Sequence, residues 1–168
     1  MSTDLEALVQ QAVQQMMQSE EKPSAPQKKR IDRITLEDAK FLAARVEEEA
    51  HRIGVKAVVA IADEGGNLKL CECMDDSYLA SRDIAINKAY TVVALKMPTA
   101  KLSELARPDG PLYGIQHTND GRIVIFGGGD PLEIGGRIVG GLGVSGGSAE
   151  QDTALSAYGR KIFTEYFY

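Results

Sequence analysis

Cysteine is scarce in this 168-residue chain, which has only Cys71 and Cys73. Two thiols cannot build the disulfide framework of a small secreted domain, and the count suits a reducing cytoplasm. Histidine is equally scarce: His51 and His117 are the whole supply, so Cys71 and Cys73 have no second Cys/His pair to complete a structural zinc site, and no His-E-x-x-His motif is present. Cationic residues are in the minority, 19 Lys and Arg against 24 Asp and Glu, and a net charge of −5 advertises no surface for nucleic acid. No apolar run approaches the roughly 20 residues of a membrane span. No nucleophile elbow or local Ser/His/Asp arrangement is present either, so nothing local announces a catalytic centre.

What is present falls into two unlike parts. Residues 1–18 read as one short amphipathic helix, residues 19–33 as a polar linker (opening with SEEKPSAPQKKR), and residues 34–168 as a glycine-rich globular domain. In the leader Leu5, Leu8, Val9, Ala12, Val13 and Met16 recur at the spacing of one helical face. Thr3 with Glu6 offers a capping box to start it. It does not read as a secretory signal, because glutamines interrupt the apolar residues and Asp4 and Glu6 stand where a basic region belongs. With no Lys or Arg before Lys22, anionic lipid is a poor partner as well. A helix this short is marginal alone in water, so the stripe predicts a protein partner.

Within the domain, Thr35 and Asp38 cap a helix whose buried face runs through Leu36, Ala39, Leu42, Ala43, Val46, Ala50 and Ile53, with Gly54 as its stop. VKAVVAIAD and LKLCECM, joined by a glycine turn, predict a hairpin. A second long helix spans about Leu79 to Lys96, with Ile84, Ala85, Tyr90 (or Lys88), Thr91 and Leu95 along one side. A helical turn over TAKLSELA and a loop RPDGPLYGIQHTNDG follow, then two or three strands in GRIVIFGGGDPL and GRIVGGLGVSG, and a last helix capped by Ser148 and Gln151. Strands joined by short turns imply an antiparallel sheet covered by helices, an α+β architecture.

Three features are weighed for chemistry. Gly141, Gly143 and Gly146 spell a dinucleotide-type glycine motif, but too little chain follows for the required second strand, and Glu150 and Asp152 would repel a phosphate. The glycines read better as a strand that another backbone or a planar ligand approaches closely. Cys71 and Cys73, two apart on a strand and roughly 6.5 Å between Cα atoms, read as small buried residues without a disulfide. Glu47, Glu48 and Glu49 read as a solvated face. His51 near a helix end and His117 in the loop are each competent to ligate one axial position of a haem iron.

From residue 34 to about 163 the chain resembles the GlcG/HbpS/PduO C-terminal family of small haem-binding-type proteins. The segments that carry the resemblance are ITLEDAKFLAA, VVAIADEGGNLKL, MDDSYLASRDIAINKA, GPLYGI and FGGGDPLEIGGRIVGGLGVSGGSAEQD. The resemblance implies a profilin-like or PAS-like fold with an antiparallel five-stranded sheet flanked by helices, and assembly into homo-oligomers. It implies haem as ligand, with a corrinoid as the other tetrapyrrole known to the family's relatives. His51 ranks first as iron ligand and His117 second, with Tyr113 and Gly114 of GPLYGI beside the ligand. The adenosyltransferase domain that accompanies one relative is absent, so that activity is not implied.

The leader is similar to a bacterial-microcompartment encapsulation peptide, which implies shell or cargo proteins as partners and the compartment lumen as location. Burying its five larger apolar side chains is worth about 8–15 kcal/mol gross. Ordering and association offset most of this, so one leader binds weakly and an oligomer bearing several gains by avidity.

Overall fold

The computed structural model describes residues 33–167 and, of the leader, Gln10. The amphipathic helix expected over residues 1–18, with Leu5, Leu8, Val9, Ala12, Val13 and Met16, lies outside the described residues, as does nearly all of the linker.

Helix α1 (Leu36–Arg52) starts where the sequence places its cap. The Asp38 N–H donates to Thr35 Oγ1 at 3.2 Å, and the Thr35 N–H donates to Asp38 Oδ2 at 2.9 Å, so two end donors are satisfied reciprocally. Gly54, at φ +74°, ends it in a conformation that glycine adopts without strain. Ala39, Leu42, Ala43, Val46 and Ala50 are fully enclosed, whereas Leu36 and Ile53 at the two ends are partly open.

Strands β1 (Val58–Asp63) and β2 (Leu68–Cys73) form the expected hairpin. Its turn is closed by Asp63 Oδ1, which accepts from the N–H groups of Gly65 and Asn67 at 2.9 Å each. Helices α2 (Leu79–Leu95) and α3 (Thr99–Leu105) come next. A loop with two short 3₁₀ turns, Ile115–His117 and Asn119–Gly121, leads to β3 (Gly129–Ile134), β4 (Arg137–Ser145) and the closing helix α4 (Ala149–Phe167).

Among the described residues the sheet has four strands in the order β2-β1-β4-β3, every neighbouring pair antiparallel, where five were expected. The apolar stretch Ile123–Ile125 that leads into β3 runs without a ladder. The Val124 N–H turns to a side chain, Thr91 Oγ1 at 3.0 Å, in place of a strand carbonyl. The edges of this sheet differ. β3 carries Pro131, which has no N–H to offer a further strand, and β2 carries no proline.

Helices cover both faces. Val59 and Ile61 of β1 point into the main core with α1 and α4, while Val58, Ala60 and Ala62 meet Ala85 and Ala89 of α2. This two-sided burial explains why β1 reads as a continuous apolar run. The main core is closed at one end by aromatic rings: Phe41 and Tyr166 stand 5.0 Å apart edge-on, as do Phe163 and Phe167 in a tilted pair.

On the other face the glycines of β4 decide how close α2 comes. A Cβ on Gly143 would stand 2.0 Å from the Ala85 carbonyl oxygen, and one on Gly141 would stand 2.3 Å from that of Ala89. Gly141 and Gly143 are therefore a bed for a helix backbone, while a Cβ on Gly146 would meet the Lys56 carbonyl oxygen at 2.3 Å. The glycine strand β4 runs antiparallel to both of its neighbours and opens no parallel βαβ unit, so the dinucleotide reading fails on topology. On α2 itself the expected side is partly right: Ala85, Lys88 and Thr91 are buried, whereas Ile84, Tyr90 and Leu95 are half-buried.

Candidate functional site

The C-terminal end of α1 and the two chain segments beside it frame a cleft of about 450 Å³. Gly54, Gly146 and Gly147 supply backbone without side chains, Val55 an apolar wall, and Tyr78 an aromatic ring that is 72% exposed. Lys56 and Asp76 place opposite charges on its rim. The volume is that of an ordinary small-molecule site. His51 stands beside this cleft through the backbone, since the Gly54 N–H donates to the His51 carbonyl at 3.1 Å, and it is exposed, as a helix-end histidine was expected to be.

The other candidates lie together elsewhere. Tyr113, Gly114 and His117 occupy the loop after α3, where Gly114 takes φ +90° and so turns the chain into the first 3₁₀ turn. Tyr113 is 65% exposed and His117 is exposed. The side-chain amide of Gln116 lies 3.4 Å from His117 Nε2, and Gln116 Oε1 is buried without a hydrogen-bond partner among the described residues. This loop is tied to α2: Asn119 donates to the Tyr90 hydroxyl at 3.3 Å, and the Arg122 guanidinium lies 3.7 Å from the Tyr90 ring centroid. His51 therefore belongs to the layer on one face of the sheet and His117 to the layer on the other. Within one chain the two histidines are not brought to a common site.

Behind the cleft lies a buried polar network that the sequence did not reveal. Lys88 is fully enclosed, and its ammonium donates to Asp152 Oδ2 at 2.9 Å and to the Val144 carbonyl at 2.7 Å. Its remaining side faces Phe126, whose ring centroid is 4.9 Å away and which is 42% exposed. Burial pulls the Lys88 amine below the usual lysine range, with Asp152 opposing. Asp152 uses its other oxygen, Oδ1, to accept from the Gly147 N–H at 2.9 Å. The pair thus anchors the glycine segment that walls the cleft. Asp152 is consumed by these two donors rather than standing free at the start of α4. A second buried carboxylate, Asp130, accepts from Ser156 Oγ at 2.7 Å and pairs with Arg160 at 3.5 Å; burial raises it above the usual aspartate range.

Two expectations need correction. Cys73 is exposed and Cys71 only partly buried, because β2 is an edge strand whose end α2 leaves uncovered; both are free thiols. Burial and the neighbouring Cys73 push the Cys71 thiol up to about 11, so it is no nucleophile at neutral pH. The Glu47–Glu49 run is not uniformly solvated. Glu48 is exposed and Glu49 pairs with Arg52 at 2.6 Å, but Glu47 is raised above the usual glutamate range by burial and by Glu72 on β2. Lys88 could have been suspected from its neighbours, since Ala85, Ala89 and Val92 surround it on an apolar helix face. Tyr78 and Lys56 carry no comparable signal.

Comparison with known proteins places this geometry. Residues 34–161 match the family model described as haem degrading protein HbpS-like. An uncharacterized 15.0 kDa protein from the dhaT–dhaS intergenic region of Citrobacter freundii is 44% identical over 135 residues, which is 80% of this chain and 95% of the relative. The corrinoid adenosyltransferase PduO of Salmonella typhimurium is 40% identical over 123 residues, 73% of this chain but 37% of the enzyme's length. Among solved structures, a PduOC–haem complex superposes with a TM-score of 0.74 at 36% identity, covering 77% of this chain and 94% of that one.

Proposed function

We propose, from the premise that this chain belongs to the HbpS-like family of haem-degrading proteins, that it is a haem-binding protein serving redox or cofactor handling inside a bacterial microcompartment. The observation that carries this reading is the likeness to PduOC, which shares the fold over 94% of its length and whose structure is a haem complex. The residues present fit such a group. The cleft is lined by glycine backbone, the open ring of Tyr78 offers a face for a planar macrocycle, Lys56 offers a cation for carboxylate substituents, and the exposed His51 stands three residues before Gly54 of the lining. His51 is the first candidate to give a nitrogen to the iron. His117, with Tyr113 and Gly114 beside it, is the second. Haem, when bound, supplies an iron that changes oxidation state; the chain's own part is to hold it and to shield one face from water.

Titration of the purified full chain with haemin tests this. A saturable Soret band is expected, shifted or lost in His51→Ala, with His117→Ala as the second arm. A flat titration overturns the haem reading, and cobalamin in a parallel titration decides whether a corrinoid is the preferred tetrapyrrole. The family's description favours a second reading, breakdown of the bound haem. Bleaching of the band under a reductant and oxygen would favour breakdown over binding alone.

Location rests on the leader. Its apolar stripe, Leu5, Leu8, Val9, Ala12, Val13 and Met16, on a polar tether suits docking to shell or cargo proteins. The kinship of the domain with the tail of PduO supports the same setting. Homo-oligomers would display several leaders at once and so convert weak single contacts into firm attachment.

A further inference from the structure

Neither Cys71 nor Cys73 lines the cleft. They stand opposite Ala60 and Val58 across the hairpin, so both side chains leave β2 on the face that α2 covers. Cys71 packs, like Ile86, against the apolar cluster under α2, whereas Cys73 opens to solvent. The two thiols lie within hydrogen-bonding reach of each other, and Arg82 and Asp83 of α2 act on Cys71 electrostatically. The spacing decides what the pair can hold. Residues two apart on one face of a strand stand roughly 6.5 Å apart, against about 3.5–4.5 Å between the Cβ atoms of a disulfide, so a disulfide demands that the strand buckle. An ion between the sulfurs does not, because two metal–thiolate bonds of about 2.3 Å span about 4.6 Å. Among the described residues no three His, Cys, Asp or Glu side chains gather as metal ligands. A cation that requires four ligands is therefore not served, and one content with two soft sulfurs is.

We propose that Cys71 and Cys73 form a two-coordinate site for a thiophilic monovalent cation, copper(I). On binding, each thiol releases its proton to water and each sulfur donates one electron pair. The metal keeps its oxidation state, and the bis-thiolate complex carries one negative charge. Arg82 is a cation in reach of Cys71 and offsets that charge, tempered by its own pairing with Asp83 at 3.4 Å. The ion has a way in, because β2 is an edge of the sheet and Cys73 is exposed. The site shares no residue with the cleft lining, so it stands independently of the haem reading.

Anaerobic titration of the reduced full chain, free of haem, with copper(I) against a competing copper(I) chelator tests this. One ion per chain is expected, with a thiolate-to-copper absorption in the ultraviolet and tighter binding as pH rises, since protons are displaced. Cys73→Ser should lower the affinity by roughly a hundredfold, because the second sulfur otherwise binds as an intramolecular partner. As the position is exposed, far-ultraviolet circular dichroism of this variant should match the wild type. Cys71→Ser should weaken binding equally, and zinc should bind the wild type far more weakly than copper(I) does. An affinity within about threefold of the wild type in either variant places the ion elsewhere and overturns the site. Zinc held as tightly as copper(I) overturns it too, since that requires further ligands. So does one ion per two chains with dimer formation, which would make the thiols a bridge between copies.

Discussion

Replacing Lys88 by methionine should cost the domain about 4 kcal/mol at pH 7. The side chains of Lys88 and Asp152 are 0% and 4% exposed, so solvent cannot stand in for a missing partner. Methionine fills nearly the same space, which keeps a cavity penalty small. Asp152 keeps the Gly147 N–H but loses its counter-charge, and the Val144 carbonyl loses its donor. Removal of one partner from a buried pair costs about 3–5 kcal/mol.

Urea unfolding followed by circular dichroism at pH 7 reads this loss directly; the thermal midpoint should drop by about 15 °C. Lys88→Met/Asp152→Leu should be less damaging than the sum of the two single changes, because neither charge is then left alone. A loss below about 1 kcal/mol at pH 7, or strict additivity, would refute the view of Lys88 as a buried strut.

Gly143→Ala should destabilise by about 3 kcal/mol, since the new methyl meets the Ala85 carbonyl and the Ala89 N–H, both backbone, and α2 must lift from β4 to admit it; a cost under about 1 kcal/mol in urea unfolding would show that the helix has slack. For the leader, residues 1–25 fused to a fluorescent reporter should give puncta in cells that make compartment shells, and Leu8→Glu should disperse them. Diffuse fluorescence from the unaltered fusion would remove the encapsulation reading.

The parts of the fold legible in the sequence are those set by local rules. Thr35 with Asp38 announced the start of α1 because a capping box spans only four residues, and both of its hydrogen bonds are made. The glycines of β4 announced a close approach because absent side chains leave room, though only the fold shows that the visitor is α2. What stayed hidden depends on partners distant in the chain. Lys88 reads only as an alternative to Tyr90 on one side of α2 until Asp152, sixty-four positions away, is seen to meet it. Cys73 reads as buried until β2 proves to be an edge. The cleft beside His51 unites three segments, around positions 54–56, 76–78 and 146–151, that no window of sequence sets side by side. The two histidines were legible as candidates, while their separation by the sheet was not.

Pro131 has a consequence for how far the sheet can be extended. Backbone pairing can lengthen the sheet along β2 but meets a missing amide proton along β3. An open-ended sheet at high concentration is the template of a fibre, and one imino acid on the outer strand closes that edge to a further strand.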